Sequence, residues 1–105
     1  GINCNSEDQA VELAKKFQRL FGFDYTISMA SVFSGNRMIE ILSQTGIGKC
    51  GHIAVGTANL EESIKQLESK GYNILAGSEI VRNGKTIGAY IDEDFNGFAV
   101  HLIQM

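Results

Sequence analysis

Apolar residues recur along the chain with two different periods, and the change from one to the other outlines a repeated order of elements. Ala10, Leu13, Ala14, Phe17 and Phe21 fall at i, i+3, i+4, i+7 and i+11. That is the spacing of one apolar stripe on a helix. Ser6 and Gln9 precede the stripe with capping-box spacing, and Gly22 follows it as a left-handed stop. Gly1-Ile2-Asn3-Cys4 reads as the tail of a strand. Segments 23–28, 29–33 and 37–42 are rich in aromatic and β-branched residues and predict three strands, with a turn at Ser34-Gly35-Asn36.

The order then restarts. Gly51 to Gly56 predicts a strand, and Asn59 with Glu62 repeats the capping-box spacing. Leu60, Ile64 and Leu67 form a second helical stripe that ends at Lys70-Gly71. Tyr72 to Leu75 is a strand candidate. Asn83-Gly84 is the strongest short hairpin signal in the chain, flanked by Glu79 to Arg82 and by Lys85 onward, with Thr86 to Asp92 predicted as a strand. Phe98 to Gln104 predicts the last strand. Laying one half over the other pairs Ile2 with Val55, Phe21-Gly22-Phe23 with Lys70-Gly71-Tyr72, and 38–42 with 99–103. The expectation is an internal duplication of a βαβββ unit, in an α+β fold of 105 residues. Module one spans 1–44 and module two 51–105.

Composition narrows the function classes. Hydrophobic residues make up 44% and charged residues 20%, which fits one ordered domain rather than a disordered chain. Proline is absent and glycine numbers 12, so turns fall to Gly, Asn, Asp and Ser. The net charge of −3 and the lack of any basic cluster beyond Lys15-Lys16 argue against a nucleic-acid partner. No apolar run approaches the roughly 20 residues of a membrane span. Two cysteines, Cys4 and Cys50, make no disulfide framework and are expected to be reduced, small and buried, as in a cytoplasmic protein.

Three residues interrupt apolar strands. Glu40 and His101 are equivalent under the duplication, and His52 opens the second half. Two imidazoles and a carboxylate suit a divalent metal such as Zn, Fe, Mn, Ni or Co. The same positions also suit the water-facing side of an open antiparallel sheet. Arg37 and Tyr90 are candidates for binding an anionic substrate if they face a cleft. No nucleophile elbow, phosphate loop or dinucleotide fingerprint occurs, so no catalytic residue is assigned.

Gly51-His52-Ile53-Ala54-Val55, the segment Leu60 to Gly71 with its Leu-Glu-Ser-Lys-Gly ending, and Asp94 to Gln104 resemble the vicinal oxygen chelate superfamily. This is the group of glyoxalase I and the extradiol dioxygenases. The resemblance implies paired βαβββ modules forming a curved, mostly antiparallel sheet around a cleft. It places metal ligands on the first and last strands of each module, hence Glu40, His52 and His101. Position 101 departs from the usual Glu, and the fourth position falls two residues before Gly1. "Gly-Ile-Asn-Cys", "Leu-Phe-Gly-Phe", "Gly-His-Ile-Ala-Val-Gly-Thr" and "Gly-Phe-Ala-Val-His-Leu-Ile-Gln" further resemble the C-terminal glyoxalase-like domain of bacterial 2-dehydro-3-deoxy-phosphogluconate / 4-hydroxy-2-oxoglutarate aldolases.

That closer resemblance implies a fragment of a longer chain, a lyase whose aldol chemistry lies in an upstream barrel absent here. It also implies a small oxo or hydroxy acid as ligand. A homodimer is a further expectation from the superfamily. Two alternatives stand beside it. One is a free-standing metal-dependent lyase, isomerase or dioxygenase-type enzyme. The other is a non-catalytic small-molecule-binding module.

Overall fold

The computed structural model describes residues 1–105 as two compact units, Gly1–Gly51 and His52–Met105. Each unit follows the order βαβββ, so the protein is α+β. The first contains β1 (Ile2–Asn3), α1 (Glu7–Phe21), β2 (Tyr25–Ile27), β3 (Ser31–Ser34) and β4 (Ile39–Leu42). The second contains β5 (Gly51–Thr57, whose first residue lies in the first unit), α2 (Leu60–Ser69), β6 (Ile80–Arg82), β7 (Lys85–Tyr90) and β8 (Phe98–Gln104). No helix is long and apolar enough to cross a membrane.

In the first unit the strand order is β2-β3-β4-β1. β3 runs antiparallel to β2 and β4, and β1 runs parallel to β4 through Ile2↔Ile41. Helix α1 starts where the Ser6 side chain accepts the Gln9 N–H. The capping box is displaced by one residue, because the Gln9 side chain reaches the N–H of Asn5 rather than that of Ser6. Gly22 ends the helix at φ 71°, a left-handed conformation that glycine adopts without a Cβ clash. Ala10 and Ala14 of α1 and Val32 and Ile41 of the sheet form a core with no exposure. Strand residues alternate between faces. Val32, Ser34 and Ile41 therefore lie under α1, while Ser31, Phe33 and Glu40 lie on the face away from it.

In the second unit the order is β5-β8-β7-β6, with β7 antiparallel to both β6 and β8. Asn59 caps α2 by accepting the Glu62 N–H, and Gln104 of β8 accepts the Leu60 N–H at 2.8 Å. Thr57 and Ser63 share a hydrogen bond of 2.6 Å. Gln104 thus marks the α2 side of β8, shared by Leu102 and Val100, and His101 lies on the other side. Asn83 (φ 54°) and Gly84 (φ 73°) make the tight β6–β7 turn, with both central residues at positive φ as a type I′ turn needs.

Two expectations are corrected. Tyr72 to Leu75 is no strand: it makes only the isolated bridge Ile74↔Ile91. The chain turns at Ser78, whose N–H donates to Leu75 and whose hydroxyl accepts the Tyr90 N–H. A side chain there takes the place of a ladder partner. Cys50 is exposed, in a polar connector, rather than buried, while Cys4 packs against the first core; both are free thiols. Burial pushes the Cys4 thiol up from its ordinary value.

The cross-strand registers give the duplication at residue level. Ser31↔Leu42, Val32↔Ile41 and Phe33↔Glu40 in the first unit correspond to Gly88↔Ile103, Ala89↔Leu102 and Tyr90↔His101 in the second. Ser34 accordingly has Ile91 as its counterpart.

Candidate functional site

Each unit presents a polar group on the face of its sheet away from its helix. In the first unit that group is Glu40. It lies mid-strand between the core residue Ile41 and the β3–β4 turn, and its carboxylate accepts a hydrogen bond from Ser31 Oγ at 3.0 Å. Ser31 is buried, so this donor stabilises the charged carboxylate against partial burial.

Phe33, the cross-strand neighbour of Glu40, carries Arg37. The guanidinium sits 4.0 Å from the ring centroid, within cation–π range. The turn that places it has three successive left-handed residues, Gly35 (φ 64°), Asn36 (φ 55°) and Arg37 (φ 67°). Such a φ is uncommon for an arginine and costs on the order of 1 kcal/mol or more. Arg37 also lines an open cleft of about 680 Å³ with Phe23, Asp24, Thr26 and Met38. The expected substrate-binding residue Arg37 therefore shares a face with Glu40, separated from it by one aromatic ring.

In the second unit the group is a cluster of three rings. His101 is 7% exposed in the middle of β8. Tyr90 is its partner on β7, with ring centroids 4.8 Å apart, and His52 of β5 approaches from the other side at 5.4 Å. His52 and Tyr90 meet edge to face at 6.1 Å. The structure thus brings together three of the five residues singled out from the sequence.

The donor set can be tested against a metal ion. Two imidazole nitrogens bound to one ion at about 2.0 Å put their ring centroids about 5 Å apart, and the 5.4 Å between His52 and His101 fits that arrangement. Neither unit by itself gathers three His, Cys, Asp or Glu side chains around one point. Glu40 belongs to the first unit and the histidines to the second.

Sequence reading missed Ser31 and Phe33. Their signal was available in the alternation of β3, which puts 31 and 33 on one face and so beside the strand that carries Glu40.

No protein-family profile and no curated protein matches the chain. Two solved structures are similar at low identity. One is a lactoylglutathione lyase from Agrobacterium tumefaciens, 16% identical, covering 98% of this chain and 88% of that one with a TM-score of 0.42. The other is a hypothetical protein from S. aureus, 14% identical, covering 99% and 92% with a TM-score of 0.38.

Proposed function

We propose that this chain is a glyoxalase-like, small-molecule-binding domain that holds a divalent metal ion through His52 and His101 of its second unit. The observation that carries this reading is the pair of imidazoles 5.4 Å apart on adjacent strands of one sheet face. The duplicated βαβββ order and the sequence resemblance to the vicinal oxygen chelate superfamily support it. Glu40 holds the register position of His101 in the other unit.

The residues divide the work by their chemistry. His52 and His101 offer neutral ring nitrogens, and Glu40, steadied by Ser31, offers an anionic oxygen. Arg37, fixed on Phe33, offers N–H donors to a carboxylate or phosphate of an oxo or hydroxy acid. A bound divalent ion supplies Lewis acidity toward vicinal ligand oxygens. In this reading the domain belongs to a longer aldolase polypeptide and does not itself cleave the aldol bond.

Titration of metal-free protein with Co(II), followed by its visible spectrum, tests this. Saturable binding is expected, weakened about tenfold or more by His52→Ala or His101→Ala. Equal binding by the wild type and both variants, or none by any of them, would refute the metal site. Circular dichroism of each variant separates lost ligation from lost folding.

A further inference from the structure

In the second unit β8 lies between β5 and β7. Side chains that stood straight up from β5 and β7 would be about 9.5 Å apart, two strand spacings. The rings of His52 and Tyr90 are instead 6.1 Å apart, each also within 5.4 Å of His101. The two flanking side chains therefore lean inward over the central one. Convergence of this kind brings two imidazoles and a phenol to one place on the sheet. Register makes the feature specific to this unit, because the residue corresponding to Tyr90 in the first unit is Phe33, which has no donor atom.

We infer that Tyr90 is a metal ligand in its own right, and that His52, His101 and Tyr90 together form a ferric-selective site within the second unit. This deepens the metal reading above and rests on its two histidines. The selectivity follows from the third donor. A phenol binds as phenolate, so its proton must be displaced to solvent as the metal–oxygen bond forms. A trivalent ion favours that ionisation more than a divalent one, as bound cations generally lower the pKa of their ligands. Phenolate oxygen is also a hard donor, better matched to Fe(III) than to the softer late divalent ions. No redox change is involved: iron enters and stays as Fe(III), one O–H bond is lost and one Fe–O bond is gained.

The signature is optical and independent of any enzymatic activity. Phenolate bound to Fe(III) gives a visible charge-transfer band that imidazole and carboxylate ligands do not give. Titration of the protein with ferric ion supplied as its nitrilotriacetate chelate is expected to develop that band to one equivalent. Excitation within the band should enhance tyrosine ring modes in the Raman spectrum. Tyr90→Phe should abolish the band and weaken Fe(III) binding about tenfold or more, while leaving Co(II) binding within about twofold of the wild type. Tyr25→Phe and Tyr72→Phe should retain the band.

Iron bound without a band, or a band that survives in Tyr90→Phe, overturns the assignment of Tyr90 and leaves the histidine site standing. Absence of both Co(II) and Fe(III) binding overturns the two together. Co(II) binding that is lost in Tyr90→Phe, with folding intact by circular dichroism, would make the phenol a general rather than a ferric-selective ligand and would overturn the selectivity.

Discussion

The two units share an order of elements and a cross-strand register, yet they differ at nearly every position that carries chemistry. Glu40 in the first corresponds to His101 in the second, Phe33 to Tyr90, and Ser31 to Gly88. In the first unit a carboxylate is supported by a hydroxyl, and an aromatic ring serves as the platform for a guanidinium. In the second the hydroxyl is gone. A Cβ at Gly88 would lie 2.6 Å from the Leu102 carbonyl, so no side chain fits there. The apolar ring has become a phenol and the carboxylate an imidazole. One backbone arrangement thus supports an oxygen anion with a cation beside it in one copy, and a cluster of neutral ring donors in the other.

The same pairing applies beneath the sheets, where it can be broken by experiment. Ile41 is fully buried under α1, and its counterpart Leu102 is 7% exposed. Ile41→Ala is expected to cost about 3 kcal/mol and Leu102→Ala somewhat less, measured by urea unfolding. A larger loss at Leu102 would mean that the second core, not the first, dominates stability.

Helix starts give a smaller contrast. Ser6→Ala removes the side-chain cap of α1 and should cost about 1 kcal/mol. Asn59→Ala should cost less, because Gln104 still accepts the Leu60 N–H. Equal losses would show that Gln104 adds nothing to the capping of α2.

The smallest effect has the opposite sign. Ser34 is fully buried and its hydroxyl has no hydrogen-bond partner, whereas its counterpart is Ile91. Ser34→Ala is expected to raise stability by up to about 1 kcal/mol, seen as a higher urea midpoint at unchanged m-value. A loss of stability would show that the hydroxyl has a role that Ile91 does not share.

Most of the architecture was legible because it depends on short-range rules. The α1 stripe from Ala10 to Phe21, the stop at Gly22, the Asn83-Gly84 turn and the Phe98–Gln104 strand are set by local periodicity and backbone preference, and the structure contains each of them. The segment 72–75 failed because its composition suits a strand, while its hydrogen bonds are decided by the turn at Ser78 and by Tyr90, fifteen residues beyond Leu75. Cys50 failed for a related reason: a small apolar residue in a glycine-rich connector has no neighbouring element to bury it.

The site was half legible. Equivalence under the repeat singled out Glu40 and His101, and a polar residue in an apolar strand singled out His52. Their surroundings were not visible without register. The alternation of β3 puts Ser31 on one face with Phe33, but the inward lean of Tyr90 leaves no mark in the local pattern, since it depends on which residue of one strand faces which residue of the next.

The bond from Gln104 to the start of α2 also bears on the order in which the molecule assembles. The side-chain caps of α1 come from Ser6 and Gln9, within a few residues of the helix they serve. Those of α2 include a residue 44 positions away. Closing so long a loop is slow compared with forming a local turn. The side-chain caps of α1 can therefore form as soon as its residues leave the ribosome, while the Gln104 cap of α2 waits for β8 to be synthesised and docked.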